Sequence, residues 1–522
     1  MRSSGPAIGA VAAAAGAAAG HLVAAWLDPA TSPVSAVGTL LIDLAPMPVK
    51  EFAVATLGAA DKPVLIAGVA LMALVLGAVA GGIWRHSHQL AAILLATLGL
   101  FSAGAVVARP GTTASGVLPG LTAGAVAVGV LFGLNAWVEQ AGLPLSPSVD
   151  PSDRATLQPD QPGNPAADPG SEPVGPVDRR RLLVGSGVVL AASAGMVALG
   201  EQLGRPPAPA IVLPPAPPGT PLPGDLGGVA PGITPLRTPL ADFYRVDIAL
   251  GVPRVDPRDW RLVIDGMADA PYSLTFAELI ALPLVERDIT LTCVSNPVGG
   301  PYCGSTRWRG VLVADLIRRA RPRREADMVL SSSPDGFSAS TPLPVLLDGR
   351  DAMIAVAMDG QPLSPIHGAP ARLLTPGLYG YVGATKWLTR VKITRFDADQ
   401  AYWTPRGWAM RAPVKTAARI DTPRSAAKSG PTPIAGVAWA THRGISRVEV
   451  QVDGGAWQTA RLGPDAGLDY WRQWYLPWDA TAGRHTLTAR AFDGAGQVQT
   501  EQPADPAPDG ASGYHSVSVT VA

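Results

Sequence analysis

Cysteine is almost absent from this 522-residue sequence: Cys293 and Cys303 are the whole supply, both inside "LTCVSNPVGGPYCGS". So few thiols allow one pairing at most. Three readings stand side by side: a disulfide staple, half of a metal site, or one working sulfur beside a bystander. An excess of charge of either sign is absent as well. With 41 Lys and Arg against 41 Asp and Glu, there is no electrostatic case for a nucleic-acid partner. Charged residues of any kind make up only 16%, where soluble domains run at about a quarter, so part of the chain belongs in lipid. Proline (53) and glycine (58) are plentiful and point to long linkers between the two or three domains that this length requires.

The apolar runs lie before residue 204. Five stretches reach the ~20 apolar residues that a bilayer crossing needs: 7–27, 64–84, 89–108, 116–138 and 182–203. Residues 34–48 are apolar but broken by Asp43, Pro46 and Pro48, as in an interfacial or re-entrant piece. Basic residues stay on the cytoplasmic side. With the N-terminus inside, Arg2, Arg85 with its neighbours His86 and His88, and Arg179-Arg180-Arg181 all fall there, and Arg109 alone falls opposite. Everything after Leu203 is then outside. The expected anchor is a four-span region over 1–141 and a fifth segment over 179–203. Between them, 142–178 is acidic and proline-rich, too polar to bury a core, and reads as a disordered cytoplasmic linker. Residues 204–237 are proline-dense and read as an extended spacer.

The junction "VDRRRLLVGSGVVLAASAGMVALG" carries two readings. It is either a positive-inside anchor or a twin-arginine export signal, which would pass the downstream domain across the membrane already folded. His21 lies within the first span. Haem ligation wants two histidines facing each other across helices, and one does not supply that.

Residues 238–411 alternate short strands and short helices, the pattern of an α+β domain with a mixed sheet. "DITLTCVSN" reads as a strand ending at the first cysteine, "VLVADLIRRA" as a helix with basic residues in its last turn, and "IAVAMDGQPL" as a hairpin turning at Asp359-Gly360. Residues 412–522 are all-β, with alternating strands and glycine turns as in an immunoglobulin-like β-sandwich. Trp439, Trp457, Trp471, Trp474 and Trp478 read as core and interface packing.

From residue 238 onward the ordered motifs "FYRVDIALGVPRVDPRDWRLVIDG", "ITLTCVSN", "RWRGVLVADLI", "AMDGQPLSPIHGAPARLLTPG", "TKWLTRVKI" and "RVEVQVDGGAWQTARL" resemble the sulfite oxidase superfamily of molybdopterin oxidoreductases, with its immunoglobulin-like dimerisation domain. The resemblance implies a molybdenum cofactor whose metal is held by the thiolate of Cys293, a soft ligand suited to it, and leaves Cys303 without a role. It implies that His367 and Arg372 of "HGAPAR" bind the pterin, together with backbone donors at Gly383, Ala384 and Thr385 and the amine of Lys386. Tyr244 and Arg245 line the pterin pocket, Arg245 also acting in catalysis, and Asn296 braces the ligand loop by local hydrogen bonds. It implies a homodimer joined through the C-terminal domain. The aromatic richness of that domain points the same way.

The departures concern substrate. Where sulfite oxidases carry a tyrosine, "DGFSAST" has Phe337, and where they carry arginines after the ligand-loop asparagine there is Pro297-Val298. Both losses remove groups that would bind an oxyanion, and no cytochrome b5-type haem domain is present in the sequence. The expectation is a membrane-anchored, molybdopterin-dependent enzyme transferring an oxygen atom and two electrons on the outer face. It would act on a small molecule and exchange electrons with a redox carrier outside or within the lipid. The alternatives are a reductase of sulfoxide-like groups and a cofactor-free extracellular binding scaffold. A scaffold needs none of Cys293, His367 and Arg372.

The two readings of the arginine triplet separate by experiment. Lysines at 179 and 180 keep the charge but remove the paired guanidinium groups. If the triplet is an export signal, Arg179→Lys/Arg180→Lys leaves no molybdenum-loaded domain outside the membrane, as fractionation and metal analysis will show. If it is an anchor, loading and location are unchanged.

Overall fold

The computed structural model describes residues 5–46, 60–108, 114–140, 176–204, 211–215, 219–253 and 255–522, with a few positions between 49 and 57. The chain forms two compact units, Met1–Pro206 and Pro207–Ala522. The linker expected at 142–178 falls almost wholly outside the described residues, as does Arg109.

The first unit is helical: α1 (Gly5–Leu27), α2 (Pro33–Leu44), α3 (Asp61–Ile83), α4 (His88–Val107), α5 (Leu118–Gln140) and α6 (Pro176–Gly204). Five of its helices are long and apolar enough to cross a membrane, within a few residues of the stretches expected from sequence. The sixth, α2, has 12 residues, about 18 Å, and is too short for a bilayer core of about 30 Å. Helix α1 packs against α3, α5 and α6. Its seam with α3 has no room for side chains: a Cβ on Gly9 would lie 2.0 Å from the Gly77 carbonyl, and one on Gly81 1.9 Å from that of Gly5. His21 meets Ser32 (Nδ1 to Oγ, 3.2 Å) and the carboxylate of Glu201 (3.9 Å).

The second unit opens with two sheets. One has the order β2 (Tyr272–Thr275), β1 (Arg261–Gly266), β10 (Arg390–Thr394), β5 (Met328–Ser332), β6 (Ser338–Pro342); β1 and β10 run parallel and the other pairs antiparallel. The other has β3 (Val285–Thr292), β4 (Cys303–Leu312), β7 (Met353–Met358) and β8 (Gln361–Pro362), with β9 (Arg372–Leu374) also on β7. Leu262, Ile264 and Ile393 from the first sheet share one core with Ile354 and Val356 from the second. The helix Val313–Ala320 adds Val313, Leu316, Ile317 and Ala320 to that core from one face. Asp359 and Gly360 both take positive φ, as a two-residue hairpin turn requires.

Two further sheets follow. The four-stranded one is built on Ala417–Thr422, Ile434–Trp439 and Arg472–Leu476, the five-stranded one on Ile445–Val452, Gly483–Asp493 and His515–Val521. Their facing residues, among them Ile420, Trp474, Val450 and Leu487, form a common core. Trp439, Trp471 and Trp474 are buried within this unit, so packing accounts for three of the five tryptophans without a second copy. The Trp471 indole donates to the Leu236 carbonyl (2.7 Å) and its amide to Thr290 Oγ1 (2.7 Å).

The proline-dense segment is not the free spacer expected from its composition. Ile211 and Leu213 pack on the main core, the Gly219 amide donates to Glu286 (3.1 Å), and Arg307 donates to the carbonyls of Gly219 and Thr220. Extended proline-rich chain leaves its carbonyls unpaired, and the arginines of β4 take them. Further along, Thr234 meets a buried ion pair, Arg419–Asp421 (2.7 Å). The Thr234 amide donates to Asp421, and Arg419 donates to the Thr234 hydroxyl and to the Gly300 carbonyl (3.0 Å).

Asp421→Asn leaves that guanidinium buried without a counter-charge and is expected to cost about 3–5 kcal/mol. Removing both charges, as in Arg419→Met/Asp421→Leu, is expected to cost much less. Urea unfolding of the detergent-solubilised chain, followed by tryptophan fluorescence, compares the two.

Candidate active site

The strands β3 and β4 pair antiparallel with Thr292 opposite Cys303. One step further, the Cys293 amide donates to the Tyr302 carbonyl (2.9 Å), so the two cysteines occupy neighbouring rungs and point to opposite faces. The structure holds them as two free, buried thiols. Cys303 lies 3.4 Å from Thr292 Oγ1, in an apolar cluster with Tyr379, Val437 and Trp439. Cys293 faces a cleft with a volume of roughly 140 Å³. Burial pushes its pKa up, while hydrogen bonds from Ser295 and the charge of Lys386 act the other way.

The loop between the two rungs is fixed from both sides. From within, Asn296 accepts the Tyr302 amide (2.8 Å) and donates its own amide to the Cys293 carbonyl (3.2 Å). From the C-terminal sheets, Arg419 holds the Gly300 carbonyl and His515 lies against Gly299. Gly299 has φ 77° and a Cβ there would fall 2.1 Å from His515 Nε2, so no other residue fits that turn without moving the histidine.

Across the cleft stand Tyr244, Arg372, Ala384 and Lys386. Arg372 is fully buried over the Trp308 ring (5.1 Å), donates one bond to the His367 carbonyl (3.1 Å), and keeps its Nε unpartnered. It has no ion pair among the described residues, and burial depresses its pKa to about 10. Lys386 donates to Asp247 (2.9 Å) and to the Ile366 carbonyl (3.0 Å), and burial brings it down to about 8. Arg245 shares the same carboxylate (3.0 Å). His367 is buried behind this group. Burial first, then the charges of Arg372 and Lys386, lower its pKa to about 4, so it is neutral at physiological pH.

Lys386 and Arg245 therefore share one carboxylate, while Arg372 has none among the described residues, and a thiol faces the same cleft. A buried guanidinium with an unpartnered N–H costs several kcal/mol unless an anion joins it, and a planar donor fork suits a phosphate. These residues fit a molybdopterin: a phosphate beside Arg372 and Lys386, and a metal at Cys293, whose binding would take the place of the thiol proton.

Of the residues expected from sequence, Cys293, Tyr244, Arg372, Ala384 and Lys386 come together on the cleft wall. His367 and Arg245 stand behind it. Asn296 lines a second, smaller cavity and touches the site only through its loop, as a brace. The expected backbone donors are a correction. The amides of Gly383, Ala384 and Thr385 already donate to the carbonyls of Tyr379 (3.0 Å), Gly380 (2.8 Å) and Leu373 (3.2 Å), because this stretch is a short helical turn followed by a β-like pairing. Sequence reading missed Asp247, although it lies in the quoted "FYRVDIAL". It also missed Trp387, held at φ 50° with its indole on the Pro365 carbonyl (2.8 Å), and the contribution of Arg419 and His515 from the last sheets. Nothing local marks the last two.

Residues 249–403 match the family described as oxidoreductase molybdopterin binding domain. The uncharacterized oxidoreductase YuiH of Bacillus subtilis is 31% identical over 156 residues, covering 30% of this chain and 75% of that protein. Mitochondrial sulfite oxidase of Homo sapiens is 28% identical over 303 residues, 48% of this chain and 55% of that one. A nitrate reductase of Brassica napus is 27% identical over 179 residues, 29% of this chain and 20% of that one. The chain thus spans about half the length of the sulfite oxidases it matches. With the thiol, the buried arginine and the cleft joining them inside or beside the matched segment, the chain belongs to the sulfite oxidase family of molybdopterin-dependent oxidoreductases.

Proposed function

We propose that the chain is a membrane-anchored molybdopterin oxidoreductase working on the outer face of its membrane, with Cys293 as the metal ligand. The observation that carries the site assignment is Arg372, a buried cation without a counter-ion, facing the same cleft as a free buried thiol. When bound, the cofactor supplies two-electron chemistry and oxygen-atom transfer. The residues have separable parts. Arg372 and Lys386 bind the phosphate, and neutral His367 presents its carbonyl to Arg372. Arg245 holds Asp247 in place for Lys386 and is a positioning residue, since it lies outside the cleft wall. Asn296 keeps the ligand loop closed, and Cys303 has a packing role only.

The anchor assignment rests on the five apolar helices and on the basic residues expected at their cytoplasmic ends. The domain reading is a molybdopterin domain over 238–411 followed by an immunoglobulin-like sandwich over 412–522, through which two copies pair.

Cys293→Ser is expected to abolish activity and leave the unfolding midpoint near that of the parent, while Cys303→Ser keeps most activity. Arg372→Met is expected to lower pterin occupancy by roughly tenfold to a hundredfold, the worth of a charge-assisted contact. Molybdenum and pterin content of each purified variant is the measurement. Equal losses at both cysteines, or full pterin occupancy without Arg372, would overturn the assignment.

A pH dependence follows from His367. Its folded pKa of about 4 lies below the ordinary 6.5, so between those values the unfolded chain binds a proton that the folded chain does not. The contribution is complete above about 6.5 and is lost as the pH falls toward 4. In cofactor-free protein, His367→Gln should therefore flatten the acid limb of the urea midpoint between about pH 6.5 and 4, relative to the parent.

A further inference from the structure

We infer that the mouth of the cleft selects an uncharged substrate bearing a flat aromatic or similarly apolar group, and turns oxyanions away. The inference rests on the cofactor reading above and adds the substrate class. Four aromatic side chains line the cleft beyond the thiol: Phe337, Tyr381, Trp403 and Trp408. Three of them are in contact, with Trp403 and Trp408 6.1 Å apart between centroids and Tyr381 and Trp408 5.6 Å apart, and Tyr402 links Phe337 (6.2 Å) to Trp403 (5.1 Å). Two of their polar atoms are withdrawn from solvent. The Tyr381 hydroxyl donates to the Ala409 carbonyl (2.7 Å), and the Trp408 indole nitrogen is buried. The rings make this wall mostly apolar, a surface suited to another ring.

Charge points the same way. The charged residues of the cleft wall are Arg372, Lys386, Asp247 and Asp335. Both cations belong to the phosphate end, and Asp247 is bound to Lys386 there. The remaining charged wall residue is a carboxylate, Asp335, whose Oδ1 accepts the Phe337 amide (3.1 Å) and the Ser333 hydroxyl. The same turn is closed by the Ser333 amide on the Phe337 carbonyl (3.0 Å), which fixes Phe337 at the rim. An anion entering here would lose water to meet rings, and among the described residues of the wall both cations are already assigned to the phosphate.

The test uses the full chain in detergent, loaded with cofactor, and two probes that share a ring and differ in charge: methyl phenyl sulfoxide and benzenesulfonate. Calorimetric titration is expected to give at least tenfold tighter binding of the sulfoxide. Trp403→Ala should reduce that preference about tenfold. Phe337→Arg, on a partly exposed turn that tolerates a long side chain, should shift the preference toward benzenesulfonate. Molybdenum and pterin are assayed in the same samples. Equal or tighter binding of benzenesulfonate by loaded parent protein, or a preference unchanged in both variants, overturns this inference and leaves the cofactor reading standing. Protein that carries neither molybdenum nor pterin overturns the cofactor reading, and the substrate inference with it.

Discussion

The guanidinium of Arg419 is where the second unit is tied together. Its three nitrogens reach a strand of the last sheets through Asp421, the proline-rich strap through Thr234, and the ligand-cysteine loop through Gly300. Each of these segments departs from regular pairing. The strap has few backbone partners, the loop is a glycine-containing turn, and Ala417–Thr422 carries an irregular register near Asp421. One buried cation with every nitrogen engaged gives all three a common reference. The position of the Cys293 thiol is therefore set by residues far away in sequence as well as by the hairpin that carries it.

Arg372 is the instructive contrast. Both arginines are buried, yet Arg419 has a carboxylate at 2.7 Å while Arg372 has one backbone carbonyl and an unpartnered Nε. Desolvating a guanidinium costs several kcal/mol in either place. The protein satisfies one completely and leaves the other short of an anion, and that difference is what the proposed phosphate contact rests on. The depressed pKa values of Arg372, Lys386 and His367 have burial as their first cause, and the charge of Arg372 adds to it at Lys386 and His367.

Much of this was legible in the sequence, and the boundary between what was and was not is physical. Helix positions in the first unit, the β3 strand into the thiol, the amphipathic helix Val313–Ala320 and the Asp359-Gly360 turn follow from local periodicity and turn chemistry. Cys293, Arg372 and Lys386 could be singled out because they sit in short motifs with fixed spacing, and the structure brings them to one cleft. The strap was misread because composition reports what a segment would do alone, and its carbonyls found arginines on β4 instead. The amides at Gly383–Thr385 were misread because a glycine-rich stretch looks like a free cradle until its backbone bonds are assigned. Arg419 and His515 carry no local sign, since their partners lie across the domain.

That dependence on distant residues has a consequence in time. A ribosome finishes the whole matched segment, 249–403, before it reaches Arg419, and reaches His515 later still. At that moment the chain holds every cofactor contact proposed here, but the loop bearing Cys293 still lacks its outer restraint. The stretch recognisable by kinship is thus smaller than the stretch that must be finished before the site can close. The outer restraint on that loop arrives only with the last strands.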